Sequence, residues 1–171
     1  MIDFVIVGLP RSGTTWAANW LTTGKTICVH DPLYTTHYSE WGSLVEPGST
    51  TGVSCTGIWR WADWLNSRPA RKLVLHRPLH EVNESMQAIG LQPLAPQAEA
   101  MLSSIEGLHV DYTSLFDASK ARELWEYLTP EPFSRRRHEE LVHIEMQPAF
   151  HGLSVGAEVT RRLREELERM Y

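Results

Sequence analysis

The sequence predicts an α/β fold, in which helices cover both faces of a mostly parallel central sheet. Three observations predict this class. Short apolar runs that suit buried strands alternate with helical segments along much of the chain. A glycine-bounded loop joins the first apolar run to the first helix. The length of 171 residues, of which 42% are hydrophobic, suits a single domain with one core, so we expect one unit over residues 1–171.

The individual elements follow from apolar runs, helical spacing and turn residues. Strands are predicted at 4–7, 25–30, 51–55, 72–76 and 108–112. Helices are predicted at 13–22, 58–66, 78–89 and 96–105, and the helical C-terminal third holds three more at 114–128, 134–146 and 155–170. Leu79, Val82, Met86 and Ile89 have the spacing of one buried helix face. Residues 31–50 are polar, aromatic and interrupted by proline and glycine, which predicts a long loop with one helical turn.

Composition and charge narrow the classes of function. The formal net charge of −5 disfavours a general nucleic-acid binder. No apolar run approaches the ~20 residues of a membrane-spanning helix, and the chain opens directly into a strand. We therefore expect a cytoplasmic protein with no membrane span. Cys28 and Cys55 match no metal-ligand spacing, so we expect reduced cysteines within strands and no metal site.

The loop after the first strand has the pattern of a phosphate-binding loop. Gly8-Leu9-Pro10-Arg11-Ser12-Gly13-Thr14-Thr15 fits the frame G-x-x-x-x-G-K-[ST], except that Thr14 replaces lysine. Arg11 supplies a cation inside the loop instead, and Ser12, Thr14 and Thr15 add hydroxyl donors. Backbone N–H groups and the helix dipole favour an anion at such a junction. With the strand–helix alternation, this loop predicts a three-layer P-loop fold.

The string Pro10 to Trp16, PRSGTTW, resembles the 5′-phosphosulfate loop of the P-loop sulfotransferases, usually P-K-S-G-T-T-W, in which arginine is a common variant. The resemblance implies 3′-phosphoadenosine 5′-phosphosulfate as the nucleotide co-substrate, with no metal. The loop residues that would bind its 5′ end are Pro10, Arg11, Ser12, Gly13, Thr14, Thr15 and Trp16. The implied reaction moves a sulfuryl group to a hydroxyl or amine of an unknown small-molecule, glycan or protein acceptor.

A second stretch is similar to the family's 3′-phosphate signature. Arg77 and Ser85 lie eight residues apart after the strand predicted at 72–76, although proline follows the arginine one position early. The resemblance implies that both bind the 3′-phosphate. A third stretch, Val110 to Leu115, is similar to the family's Y-E-D-L strand end, where an aromatic residue helps to hold adenine. This resemblance implies that Tyr112 and Trp16 contact the adenine base, although Tyr112 fits a core position equally well. A closing segment, R-K-G-x-x-G-D-W-K, is missing, and the Arg135 to Arg137 cluster either replaces it or is a solvated basic face.

Transfer to a hydroxyl also needs a base and charge stabilisation on the leaving phosphate. Family members use a histidine at the end of the third strand, which is absent here, or a glutamate after the second. Our candidates for the base are therefore His30, then Glu40, then His37, while Arg11 would stabilise the leaving oxygen. His30 is favoured because it ends a strand, where parallel sheets bind ligands.

Two other functions remain open. One is a P-loop kinase of small metabolites that uses ATP and Mg²⁺, although no strand-end aspartate stands out as its metal ligand. The other is a non-catalytic nucleotide-binding protein of the same fold. The acceptor is not identified, since Trp59, Trp61 and Trp64 fit either an acceptor cleft or ordinary packing.

Overall fold

The protein has a five-stranded sheet in which all neighbouring strands are parallel. The computed structural model describes residues 1–144, 146 and 157–170. The strands are β1 (Phe4–Gly8), β2 (Thr26–His30), β3 (Thr50–Cys55), β4 (Arg71–His76) and β5 (Leu108–Asp111). Their order across the sheet is β2-β3-β1-β4-β5. The predicted α/β class with a parallel sheet is confirmed.

Helices connect and cover the strands. They are α1 (Thr14–Leu21), α2 (Ala62–Asn66), α3 (Leu79–Gln87), α4 (Gln97–Ser103), α5 (Ala118–Leu128), α6 (Arg135–Val142) and α7 (Ala157–Met170). Short 3₁₀ helices occupy Pro32–Tyr34, Tyr38–Leu44, Ile58–Trp61 and Tyr112–Leu115. The long loop predicted at 31–50 thus holds two 3₁₀ segments instead of one helical turn. No described helix is both long enough and apolar enough to span a membrane.

Alternation along the strands builds a core on each face of the sheet. In β1, Phe4 and Ile6 pack with α1 and α5, whereas Val5 and Val7 pack on the opposite face with α2, α3 and α4. All four side chains are almost completely buried. Because both faces are covered, the central strand β1 is apolar along its whole length, as is typical of parallel sheets. This arrangement makes three layers.

Several helix ends differ from the predictions. The helix predicted at 78–89 ends at Gln87, so Ile89 is 41% exposed and does not extend the buried face. The helix predicted from residue 114 begins at Ala118, because the Asp117 side chain accepts the backbone N–H groups of Ser119 and Lys120. The helix predicted at 134–146 ends at Val142. Residues 145, 155 and 156 of the predicted C-terminal helices lie outside the described residues.

Tryptophans and cysteines belong mainly to the core. Trp59 and Trp61 are buried beside β3, which assigns them to packing. Cys28 in β2 and Cys55 in β3 are free thiols and buried, as expected. Burial raises the pKa of each thiol, so both stay protonated and unreactive at neutral pH.

The strand order creates a natural binding position. From β1 the chain passes through α1 to β2 on one side, and from β4 it passes to β5 on the other. Connections that leave adjacent strands in opposite directions open a crevice at their carboxyl ends. β1 and β4 form that switch point here, and they end at the glycine loop (residues 9–13) and at Arg77 respectively.

Candidate functional site

A cleft of about 500 Å³ lies at the carboxyl ends of the strands, and we call it the edge cleft. Segments that follow all five strands line it. Nine of the residues predicted from the sequence line the cleft, namely Pro10, Arg11, Gly13, Thr14, Thr15, Trp16, Arg77, Ser85 and Tyr112. His30, the first candidate for the base, also lines it. The structure therefore brings together residues that are up to 102 positions apart, since Pro10 and Tyr112 share this cleft.

The glycine loop turns sharply from β1 into α1. Gly13 has a φ of 82° and Arg11 a φ of 67°, both in the left-handed region. Such a turn directs the first backbone N–H groups of α1 toward the cleft. Ser12 differs from its neighbours, because it is fully buried and does not line the cleft. Its hydroxyl has no hydrogen-bond partner among the described residues.

The predicted 5′ and 3′ anchors meet at Arg11. Its Nε donates to Ser85 Oγ at 2.9 Å, and its carbonyl oxygen accepts from Arg77 Nη1 at 2.6 Å. Arg77 Nε also donates to Glu81 at 3.1 Å, and its guanidinium lies 4.9 Å from the ring centre of Tyr112. Arg77 therefore stabilises the left-handed loop as well as bringing a second cation to the cleft.

His30 lies across the glycine loop from Arg77. Its Nε2 is 3.1 Å from Thr15 Oγ1 and 3.5 Å from Thr14 Oγ1. The same nitrogen is 3.4 Å from Asp31 Oδ2. A histidine beside hydroxyls and a carboxylate in a cleft is placed to exchange a proton with a bound group.

Asp31 was not selected from the sequence as a site residue, yet it lines the cleft and has a φ of 43°. Its backbone N–H donates to Ser54 O at 2.7 Å, and its carboxylate accepts the Thr56 N–H at 2.5 Å and the Thr56 hydroxyl at 2.9 Å. Tyr34 also faces the cleft, and burial together with Asp31 and Cys55 raises its phenol pKa. The position of Asp31 immediately after a strand was the available signal.

The other two candidates for the base do not line the edge cleft. His37 is 2% exposed, and its Nε2 lies 3.0 Å from Glu166 Oε1 on α7. Glu40 pairs with Arg162 at 2.5 Å, also on α7. The 3₁₀ helix Tyr38–Leu44 and the histidine before it thus contact α7 through Glu166 and Arg162. Of the three candidates, His30 alone lines the cleft.

Aromatic groups line the end of the cleft near β5. Trp16 is 4% exposed, and its indole Nε1 donates to Leu141 O at 3.0 Å. Its ring packs against Trp20 and Phe116, at centroid distances of 5.4 and 5.1 Å. Phe116, which the sequence did not indicate, is 37% exposed and lines the cleft. Phe116 and Tyr112 are therefore more accessible to a flat base than Trp16 is.

The Arg135 to Arg137 cluster has no side chain among the residues lining the cleft. Arg137 instead donates to the carbonyls of Asn19, Trp20 and Thr22 at the end of α1. Arg135 and Arg136 form surface pairs with Glu139 and Glu140. The cluster is a helix cap and a solvated face, so in this structure it does not replace the missing closing segment.

Among residues 1–144, 146 and 157–170, no group of three or more acidic, histidine or cysteine side chains is arranged to hold a metal ion. No protein-family model matches the chain, and neither the curated proteins nor the solved structures give a match.

Proposed function

We propose that the protein binds 3′-phosphoadenosine 5′-phosphosulfate in the edge cleft and transfers its sulfuryl group to an acceptor hydroxyl or amine. One observation carries the proposal. The two predicted phosphate anchors, separate in sequence, converge on one cleft, where Arg77 Nη1 lies 2.6 Å from Arg11 O and Ser85 Oγ lies 2.9 Å from Arg11 Nε. A donor with phosphates at both ends needs such a pair of anchors on one face.

The glycine loop supplies the group that would bind the 5′ end. Its Arg11 guanidinium, the hydroxyls of Thr14 and Thr15, and the N-terminus of α1 all favour an anion at one position. On the leaving phosphate, Arg11 would stabilise the charge that develops as the sulfuryl group departs. The loop achieves this without the lysine that nucleoside-triphosphate enzymes use at the position of Thr14.

His30 is our assignment for the base. It lines the cleft, and its Nε2 is 3.1 Å from Thr15 Oγ1, so the imidazole lies beside the predicted site of the transferring group. Asp31, 3.4 Å from the same nitrogen, would stabilise the imidazolium after proton transfer. His37 contacts Glu166 and does not line the cleft, which favours His30 over it.

A kinase that uses ATP and Mg²⁺ is the second candidate, and one observation favours it. Asp31 is a strand-end aspartate in the cleft, where such enzymes hold their metal. No lysine follows Gly13, where such enzymes place one against the β- and γ-phosphates. The absence of that lysine favours sulfuryl transfer over the kinase.

Calorimetric titration with adenosine 3′,5′-bisphosphate and with ATP–Mg²⁺ tests the proposal. We expect the bisphosphate to bind at least about tenfold more tightly than ATP–Mg²⁺.

The Arg11→Gly variant should lose at least about tenfold in bisphosphate affinity, since it removes a charge-assisted contact while glycine keeps the left-handed loop. The matched control, Arg135→Ala, removes an exposed arginine far from the cleft and should bind normally. Tighter binding of ATP–Mg²⁺ would support the kinase, and bisphosphate binding without any sulfuryl transfer would support a non-catalytic protein.

A further inference from the structure

The edge cleft has two chemically different ends. Because β2 and β3 lie on one side of β1 while β4 and β5 lie on the other, the residues after them flank the glycine loop on opposite sides. The side after β4 and β5 carries Arg77 and the aromatic Tyr112 and Phe116. The side after β2 and β3 carries His30, Asp31, Tyr34 and Thr56, and we call these four residues the acidic end.

Of the four residues that form the acidic end, only His30 can carry a positive charge to balance Asp31. Among the described residues lining the cleft, the arginines are Arg11 in the glycine loop and Arg77 on the opposite side. A carboxylate or sulfate group on an acceptor would therefore approach Asp31 without a matching cation, and like charges at short range in a partly buried site repel strongly. The acidic end thus selects against anionic acceptors.

Asp31 retains capacity to bind a donor group. A carboxylate has about four acceptor positions, of which the Thr56 N–H, the Thr56 hydroxyl and the Cys55 thiol use three. The Asp31 side chain is buried except for 8% of its surface, which faces the cleft. A buried carboxylate interacts more strongly with a cation than an exposed one does, because water screens it less. An ammonium group would satisfy this charge best.

The spacing of His30 and Asp31 sets the shape of the acceptor. His30 Nε2 and Asp31 Oδ2 are 3.4 Å apart. Polar atoms on adjacent carbons of a small molecule are about 3 Å apart by ordinary bond lengths and staggered torsions. A hydroxyl that contacts His30 therefore places a substituent on its neighbouring carbon beside Asp31.

We propose that the acceptor is an amino alcohol, in which His30 contacts the reacting hydroxyl and Asp31 binds the ammonium group on the adjacent carbon. This inference rests on the proposed sulfuryl transfer. The bond between sulfur and the bridging phosphate oxygen breaks, and its electron pair stays on the phosphate. The acceptor oxygen forms the new S–O bond, and its proton passes to His30. The products are a sulfate monoester and adenosine 3′,5′-bisphosphate.

Three matched two-carbon acceptors test the proposal: ethanolamine, ethylene glycol and glycolate, each assayed with the radiolabelled sulfuryl donor. Each offers a hydroxyl on one carbon, and they differ in the charge of the group on the neighbouring carbon, which is positive, neutral and negative respectively. We expect kcat/KM for ethanolamine to exceed that for glycolate by at least about tenfold, with ethylene glycol between them. Equal rates, or a preference for glycolate, overturn the proposal.

The Asp31→Asn variant shows whether Asp31 causes the preference. Asparagine has the same shape and tolerates the left-handed backbone of this position. We expect the variant to be slower with every acceptor, because Asp31 also supports His30, and to lose the preference for ethanolamine over glycolate. Asp63→Asn, at an exposed position on α2, is the matched control and should keep the preference. A preference that survives in Asp31→Asn overturns the assignment of Asp31.

Nucleotide binding distinguishes a failure of the proposed function from a failure of the acceptor assignment. If the wild-type protein does not bind adenosine 3′,5′-bisphosphate, the proposed function fails, and the acceptor assignment fails with it. If the bisphosphate binds and ethanolamine has no advantage, only the acceptor assignment fails.

Discussion

Arg11 and Asp31 are non-glycine residues with left-handed backbone, at φ values of 67° and 43°, and both line the edge cleft. This conformation costs an ordinary residue about 1–3 kcal/mol and persists only where surrounding contacts hold it. Arg77 binds the carbonyl of Arg11, and the N–H of Asp31 donates to Ser54. Strained residues of this kind concentrate at binding and catalytic sites, which agrees with the roles proposed for both.

Gly13 shows how strictly the loop depends on one residue. Its φ is 82°, and a Cβ added there would lie 3.0 Å from Leu115 Cδ1. We expect Gly13→Ala to lower the free energy of unfolding by about 2 kcal/mol, through backbone strain and overpacking. The melting temperature should fall by about 4–8 °C, measured by thermal unfolding.

Gly48 provides the control for Gly13, because its φ is 81° and nothing lies within 4 Å of an added Cβ. Gly48→Ala therefore incurs only the backbone cost, about 1 kcal/mol. If both variants lose the same stability, the contact with Leu115 relaxes without cost and our account of the loop is wrong.

At the scale of elements, α6 docks on α1 through one arginine. Arg137 donates to three carbonyls at the end of α1, those of Asn19, Trp20 and Thr22. Carbonyls at a helix C-terminus carry partial negative charge and have no partner within the helix. We expect Arg137→Ala to cost about 1–3 kcal/mol in the free energy of unfolding, measured by urea denaturation.

Arg136→Ala is the matched control for this helix cap. Arg136 lies one position earlier on α6, is 90% exposed and pairs only on the surface with Glu140. Water screens an exposed ion pair of this kind, so the control should change stability little. A similar loss in both variants would contradict the cap that we assign to Arg137.

The presence of most strands and helices could be predicted, because apolar runs and helical spacing depend on nearby residues. The residues at which the helices end were harder to predict. The α3 helix stops at Gln87 because Gly90 turns left-handed, at a φ of 78°, and the Leu91 N–H returns to Met86 O at 3.0 Å. That glycine was visible in the sequence as a stop signal, yet the apolar spacing continued through Ile89. Periodicity alone therefore extended the helix too far.

At the scale of the whole molecule, the sequence indicated the phosphate-binding motifs of the site but not the residues that only the fold brings together. The glycine loop and the Arg77–Ser85 pair are linear motifs, so their residues could be selected without the fold. Asp31 and Thr56 follow different strands, and only the sheet order brings them together. His37 and Glu40 contact α7, more than 120 positions away in the sequence, and do not line the cleft. Long-range contacts of that kind leave no local signal.

The central claim concerns one nucleotide bound by anchors that follow β1 and β4. Arg77 could matter in two ways, since it supports the Arg11 carbonyl and also presents a cation to the cleft. If Arg77 only supports the Arg11 carbonyl, its loss would weaken the binding of every nucleotide that uses the glycine loop. If Arg77 contacts the 3′-phosphate, its loss would weaken the binding only of nucleotides that carry that phosphate.

Calorimetric titration of the wild-type protein and the Arg77→Ala variant with adenosine 3′,5′-bisphosphate and with AMP separates these roles. We predict that the substitution weakens bisphosphate binding by at least about tenfold more than it weakens AMP binding, because only the bisphosphate has the second phosphate. An equal loss of affinity for both ligands, or no loss for either, would contradict the claim that Arg77 binds the 3′-phosphate of the sulfuryl donor.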